Sequence, residues 1–308
     1  MSTESTLSTE STTSTRKSNW GRWGETDELG ALNLLTPERV LAALRLPKTG
    51  KTYSLSIPIQ RSGVPNLEYR GIPQRLTLTN HEDEAMARAN GGAPGVGANE
   101  DQLIMPSHTS THMDALCHAY SDNKIYNGFP ADQVTPYSGA AKCSIDKVGG
   151  VVGRGVLIDV AASKGVGVLT PGYVITATDL QTALDDQGME LQPGDLVIIR
   201  TGWLEDYLVK QGDIMPQPGI GLEAATFLAE KDVALVGSDN AAIEPIPFDQ
   251  NVYLGGHIIL LVENGIHLVE NMNLAELAAD RCYEFLLTIG ALKITGGTAS
   301  PVTPVAIG

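Results

Sequence analysis

The sequence predicts a mixed α/β fold, on three observations. Two continuous apolar runs of strand length, Gly155 to Val160 and Asp195 to Arg200, have the composition of buried strands. From Val151 onward such runs alternate with helical segments, as in strand–helix–strand units. No internal repeat interrupts that alternation.

The elements follow in chain order. Residues 1–18 are dominated by Ser, Thr and Glu, have little apolar surface to bury, and are expected to be a disordered tail. One domain is expected over residues 19–308, with order starting at Trp20. Thr36-Pro37-Glu38 reads as a helix start, with Thr36 as N-cap and Pro37 at the first helical position. That helix runs through Val40, Leu41 and Leu44 and stops before Pro47. Thr52 to Ile59 alternates like a strand. Asn80 to Gln102 is polar, Gly-rich and acidic, and reads as a long surface loop, a place where function often resides. Thr176 to Leu184 starts a helix with Thr178 as its cap, Leu222 to Glu230 is helical, and Val233 to Gly237 is a strand. His257 to Glu263 fits helix or strand. Asn273 to Ala279 is a short helix ahead of strand sequence from Tyr283 to Ile294.

With 308 residues the chain can bury a substantial core. Its 21 Lys and Arg against 36 Asp and Glu give a formal charge of −15, a field that repels phosphate backbones and anionic membrane surfaces. Nucleic acid and membrane are therefore excluded as partners. Nor does any apolar run approach the roughly 18 residues that cross a bilayer. The start of the chain lacks a basic region followed by an apolar stretch, so a cytoplasmic enzyme is the expectation. Cys117, Cys143 and Cys282 are odd in number and widely spaced, which fits neither a disulfide framework nor a Cys-x-x-Cys metal site.

Six histidines occur in the chain, and three stand in His108-Thr-Ser-Thr-His112-Met-Asp114-Ala-Leu-Cys-His118. Neutral histidine is the commonest metal ligand, and an aspartate adds an oxygen ligand with compensating charge. His112 and Asp114, two apart, share one side of an extended segment. No single regular element points all four side chains inward, so the motif is placed on a loop before a helical turn. In this reading His108, His112 and Asp114 hold a divalent ion with positions left for water, whose pKa falls from ~15.7 towards ~7. His118 moves protons between water and leaving group, with a fourth ligand or a brace for the others as its alternative role. Mixed imidazole and carboxylate ligands suit zinc or manganese.

These residues resemble the motif H-x-G-T-H-x-D-x-P-x-H of the cyclase family, which includes bacterial kynurenine formamidases, isatin hydrolase and trans-dienelactone hydrolase. His108, Thr111, His112, Asp114 and His118 match it, while Ser110 replaces the glycine and Leu116 the proline. The resemblance covers most of residues 20 to 300, through W-G-E-T-D-E-L-G-A-L-N, K-I-Y-N-G, G-V-L-I-D-V, G-D-L-V-I-I-R-T-G-W, G-S-D-N-A-A-I-E-P and H-I-I-L-L-V-E-N-G-I-H-L-V-E-N. It implies a swivelling β/β/α barrel-like single domain, metal dependence and a homo-oligomer, dimer or tetramer. In two-metal members the counterpart of Asp114 bridges to a second ion held by a downstream His and Glu, and His257 and Glu270 occupy those places. One or two ions per subunit are thus implied; His257 completing a single-metal site and Glu270 being an ordinary helix-terminus acid are the alternatives.

The expected reaction is hydrolysis of a C–N or C–O bond beside a carbonyl, in a small cyclic amide, aryl formamide or lactone. Metal-dependent cyclisation or dehydration is one rival, and ligand binding without turnover another. A non-haem iron oxygenase built on His112, Asp114 and His257 is a third. It leaves His108 and His118 unexplained, and no Arg follows His257 until Arg281 to hold a cosubstrate. Asp239 and Glu244 follow a buried strand, where helix capping or turn chemistry competes with a role in a site. Trp20 and Trp23 are assigned to core packing or an oligomer contact over stacking on an aromatic substrate, Cys117 to the core, and His81 and His267 to structural or exposed positions.

Overall fold

Nine strands assemble one sheet from the apolar runs. They are β1 Thr52–Ser54, β2 His112–Asp114, β3 Gly150–Asp159, β4 Leu196–Arg200, β5 Leu235–Ser238, β6 His267–Glu270, β7 Glu284–Gly290, β8 Ala299–Pro301 and β9 Val305–Ile307. Their order across the sheet is β1-β9-β7-β3-β4-β5-β6-β2-β8. The computed structural model describes residues 18–308; the tail expected over residues 1–18 lies, apart from Ser18, outside the described residues.

Strands β3 to β6 run parallel, and β2 joins β6 antiparallel. Central parallel strands are covered on both faces, which is why G-V-L-I-D-V and D-L-V-I-I-R are continuously apolar. Leu157, Ile158, Val197, Ile198, Leu235, Val236, Leu268 and Val269 are all fully buried. The helix over Ala177–Gln187 packs on strand β3 and on the helix over Leu222–Glu230. The mixed α/β class with a curled nine-stranded sheet matches the expected single-domain, barrel-like fold. No helix among the described residues is long and apolar enough to cross a membrane.

Local chemistry decides the element boundaries. The first helix is Pro37–Ala43, with the Thr36 side chain accepting from Arg39 N as its residue types require. The later helix is capped by Thr176, not Thr178. Only Thr176 lies three residues before Asp179, so the two exchange hydrogen bonds in a capping box. The strand expected over Thr52 to Ile59 stops at Ser54, because beyond it the backbone turns to other partners: Ile57 N donates to Thr111 Oγ1. The stretch read as a surface loop from Asn80 to Gln102 is exposed and mostly irregular, and it links two strands and carries a short helix. A hairpin of Gln74–Thr79 with Glu100–Ile104 encloses a short helix, Glu84–Ala89. Nearly every side chain of that hairpin is exposed, and its one alternating stretch, with Leu76 and Leu78 between polar residues, lies just before the stretch read as a loop. His257 to Glu263 is helical, a turn at Gly255–His257 running into a π-helix over Ile258–Glu263.

Candidate metal centre

The middle of the histidine motif is strand, which corrects its placement on a loop before a helical turn. Strand β2 carries His112 and Asp114 on one face, and antiparallel pairing sets Glu270 of β6 directly opposite His112. Glu270 is thus a strand residue, not a helix-terminus acid. His108 arrives from the preceding loop and His118 from the turn that follows, where His118 N donates to Ala115 O at 2.9 Å. His257 reaches the same point from its helical turn.

All six side chains converge. His108 Nδ1 lies 2.8 Å from Asp114 Oδ1, and His112 Nε2 lies 3.6 Å from that oxygen and 3.2 Å from Glu270 Oε2. His257 Nε2 lies 3.9 Å from Asp114 Oδ2 and 3.6 Å from Glu270 Oε1. The His118 ring stacks on His108 with centroids 4.0 Å apart and stands 5.9 Å from His257. His112, Asp114, His257 and Glu270 are only 1–3% exposed.

Hydrogen bonding shows what the cluster needs. His112 Nδ1 donates to the Ser110 carbonyl at 3.0 Å, so in the neutral ring Nε2 presents a lone pair to two carboxylates. His112 Nε2, His108 Nδ1 and both oxygens of Asp114 are buried and make no hydrogen bond of good geometry, although His108 Nδ1 and Asp114 Oδ1 approach to 2.8 Å. Buried acceptors left in that state cost about 1–3 kcal/mol each, and lone pairs facing carboxylates are reconciled by a cation. Two groups have ligand atoms all within 4.8 Å of one another: His108, Asp114 and His118, and His112, Asp114 and Glu270. Asp114 belongs to both. The donor set of imidazoles and carboxylates fits a divalent ion.

The electrostatics point the same way. Burial would raise the Asp114 carboxyl, but His118, His108 and His112 around it hold it well below the usual carboxylate range. Burial would lower His257, yet Glu244 and Glu270 outweigh it and raise the ring to about 10. A pocket that draws a proton onto a buried imidazole is one that favours positive charge. For His118 burial dominates, pulling it down to about 3 and leaving a neutral ring.

Other candidates fall into place around this cluster. His267 is buried on β6, where desolvation keeps it neutral, and His81 sits exposed in a turn between the hairpin strands. Asp239 serves turn chemistry, accepting from Thr201 N, Thr201 Oγ1 and Gly202 N. Trp20 donates Nε1 to Val262 O, Trp23 packs on the core, and Cys117 is buried. Glu244 has a larger part than its residue pattern indicates, since it accepts from both His257 N and His257 Nδ1. Asn271, next to Glu270, lines the pocket beside His108 and His112. An acid after a strand and an Asn after a ligand are the faint sequence signals of these two.

The Cyclase family model matches residues 53–245. A kynurenine formamidase from Bacillus cereus is 26% identical over 210 residues, covering 67% of this chain and 79% of the relative. Among solved structures, one described as a novel cyclase superposes with a TM-score of 0.84 at 36% identity, covering 94% of this chain and 99% of the other. Isatin hydrolase A from Labrenzia aggregata, bound to benzyl benzoate, superposes with a TM-score of 0.61 at 21% identity over 83% of this chain and 93% of its own. That last likeness is one of fold.

Proposed function

This chain belongs to the Cyclase family, and we propose that it is a metal-dependent hydrolase of amide C–N bonds in small molecules. Aryl formamides and small cyclic amides are the substrates, with lactones as a further class. The single observation that carries the reading is the set of buried ligand atoms without a hydrogen bond of good geometry on His108, His112 and Asp114. The kynurenine formamidase relative supports the choice of bond.

In this proposal His108, His112 and Asp114 would hold one ion, and where two are bound Asp114, His257 and Glu270 would hold the second. The ions are zinc or manganese, one or two per subunit. A divalent ion bound there supplies Lewis acidity and lowers the pKa of water from ~15.7 towards ~7, making a nucleophile available at neutral pH. Glu244 orients the His257 ring through Nδ1, leaving Nε2 to face Asp114 and Glu270. Neutral His118 takes the proton of the attacking water on a ring nitrogen and returns it to the leaving nitrogen as the C–N bond breaks. The amide carbon thereby gains an oxygen and the amine leaves with a proton, so the exchange balances.

The proposal also includes a homo-oligomer, dimer or tetramer, in the cytoplasm. The exposed Leu76, Leu78, Leu103 and Ile104 of the hairpin support self-association, since apolar side chains gathered on one projecting element mark contact surfaces. The test of function is formanilide hydrolysis before and after chelator treatment. Activity lost on stripping and restored by zinc or manganese supports the reading; no turnover of formanilide with either ion overturns it.

A further inference from the structure

A second concave site uses none of the six side chains of the metal centre. A groove of about 620 Å³ lies beside β1, between the loop over residues 46–51 and the residues 280–283 that lead into β7. Its walls are largely apolar: Tyr53 is 4% exposed, and Leu46, Met189 and Tyr283 are half-buried. Its rim is cationic, with Lys48, Lys51 and Arg281, in a chain whose formal charge is −15. The acids beside them are already matched. Asp280 Oδ2 accepts from the Tyr53 hydroxyl at 2.9 Å and pairs with Lys51, and Glu284 Oε1 accepts from Arg154 Nε at 2.7 Å. Among the described residues, Lys48 and Arg281 form no ion pair and no side-chain hydrogen bond. Two cations without a counter-charge therefore line one apolar groove.

Arg281 stands there against its backbone preference. It follows the helix Ala275–Ala279 at the point where the chain turns left-handed, with φ 52°. Arg281 N donates to Ala278 O at 3.0 Å and Cys282 N to Leu277 O at 2.9 Å, the pair of bonds that ends a helix with glycine favoured in Arg281's place. An arginine there costs stability that glycine would keep, and the guanidinium is what the position gains. A guanidinium and an ammonium above aromatic walls match an aromatic carboxylate, whose charge meets the cations while its ring packs on the tyrosines. Phosphate fits less well. The backbone amides that would cradle it, Thr49 N and Gly50 N, both donate to Gly308 O, at 3.0 and 2.8 Å. We infer that this groove is an accessory binding site for aromatic carboxylates, read by Arg281 and Lys48. The inference goes beyond the proposed hydrolysis and does not depend on it.

The test titrates 2-naphthoate and its neutral isostere 2-acetylnaphthalene calorimetrically into the full-length, metal-supplemented protein. The parent binds one equivalent of 2-naphthoate per chain at this groove with a Kd below about 1 mM, and the neutral isostere about tenfold more weakly. Arg281→Gly suits the backbone at φ 52°, so it removes the guanidinium while keeping the fold. It weakens 2-naphthoate by about tenfold and leaves 2-acetylnaphthalene unchanged. Lys48→Ala weakens 2-naphthoate less. A carboxylate bound at the metal centre is untouched by either variant, so equal 2-naphthoate binding by the parent, Arg281→Gly and Lys48→Ala overturns the inference. Absence of saturable binding by the parent overturns it too. Inorganic phosphate that displaces 2-naphthoate at equal concentration also overturns it, since the apolar walls would then contribute nothing. Formanilide turnover by Arg281→Gly stays at the parent level, so the hydrolase reading and this site fail or stand separately.

Discussion

One oxygen of Glu244 accepts two hydrogen bonds from His257, from the backbone N at 2.9 Å and from ring Nδ1 at 2.5 Å. Glu244 is itself buried and confined, since a Cβ on Gly256 would lie 2.8 Å from its Cγ. The carboxylate therefore fixes the ring's tautomer and orientation. Glu244→Ala is expected to lower metal affinity by about 10- to 100-fold. Glu244→Gln keeps an oxygen able to accept both bonds and restores part of it. Titration against a chromophoric chelator measures both, and unchanged affinity in Glu244→Ala removes His257 from the ligand set.

His118 stands against His108 at 4.0 Å between ring centroids and is neutral. If it transfers protons, His118→Ala retains its metal and loses kcat by ~10²–10⁴-fold. Elemental analysis beside steady-state kinetics checks this. Loss of metal in proportion to activity would make His118 a ligand instead.

Ser110 stands where the family motif has glycine, and the reason glycine fits is visible in its backbone, which has φ 54°. The Ser110 side chain compensates by donating to the carbonyls of Ile57 at 2.8 Å and Pro58 at 3.2 Å. Ser110→Gly removes those bonds, relieves the strain and keeps the carbonyl that His112 and Asn271 use. Metal content is expected to stay at the parent level, while relative rates on formanilide and larger aryl formamides shift. Equal loss of metal would show that the hydroxyl supports the site itself.

Asp239 is fully buried and binds the backbone where β4 ends, accepting from Thr201 N at 2.9 Å and Gly202 N at 2.7 Å. Asp239→Asn replaces one of its two acceptors with a donor that faces an N–H. A loss of about 1–3 kcal/mol in folding stability follows, read by chemical denaturation, with metal content unchanged. A variant as stable as the parent would deny Asp239 this structural role.

Much of this is legible in local sequence, and the boundary of what is legible has a physical cause. H-x3-H-x-D-x3-H is written within eleven residues, and Leu222 to Glu230 carries its helix in its own composition. Glu270 and His257 emerge through resemblance, because nothing local says that β6 pairs with β2. The roles of Asn271 and Glu244 depend on contacts made after folding: Asn271 meets Ser110 across 161 positions, and Glu244 reaches His257 only once a loop and a turn have closed. Hydrogen-bond partners that distant leave no period in the sequence. Strand order is hidden for the same reason, since apolar runs such as G-V-L-I-D-V declare burial and not neighbours.

The most direct test of the central claim is elemental analysis of the purified protein beside His112→Ala, each supplemented with zinc and with manganese. The account predicts one or two equivalents per subunit in the parent and their loss in the variant. Absence of bound metal in the parent under both conditions would contradict it, and the buried acceptors of His108, His112 and Asp114 would then need a metal-free explanation.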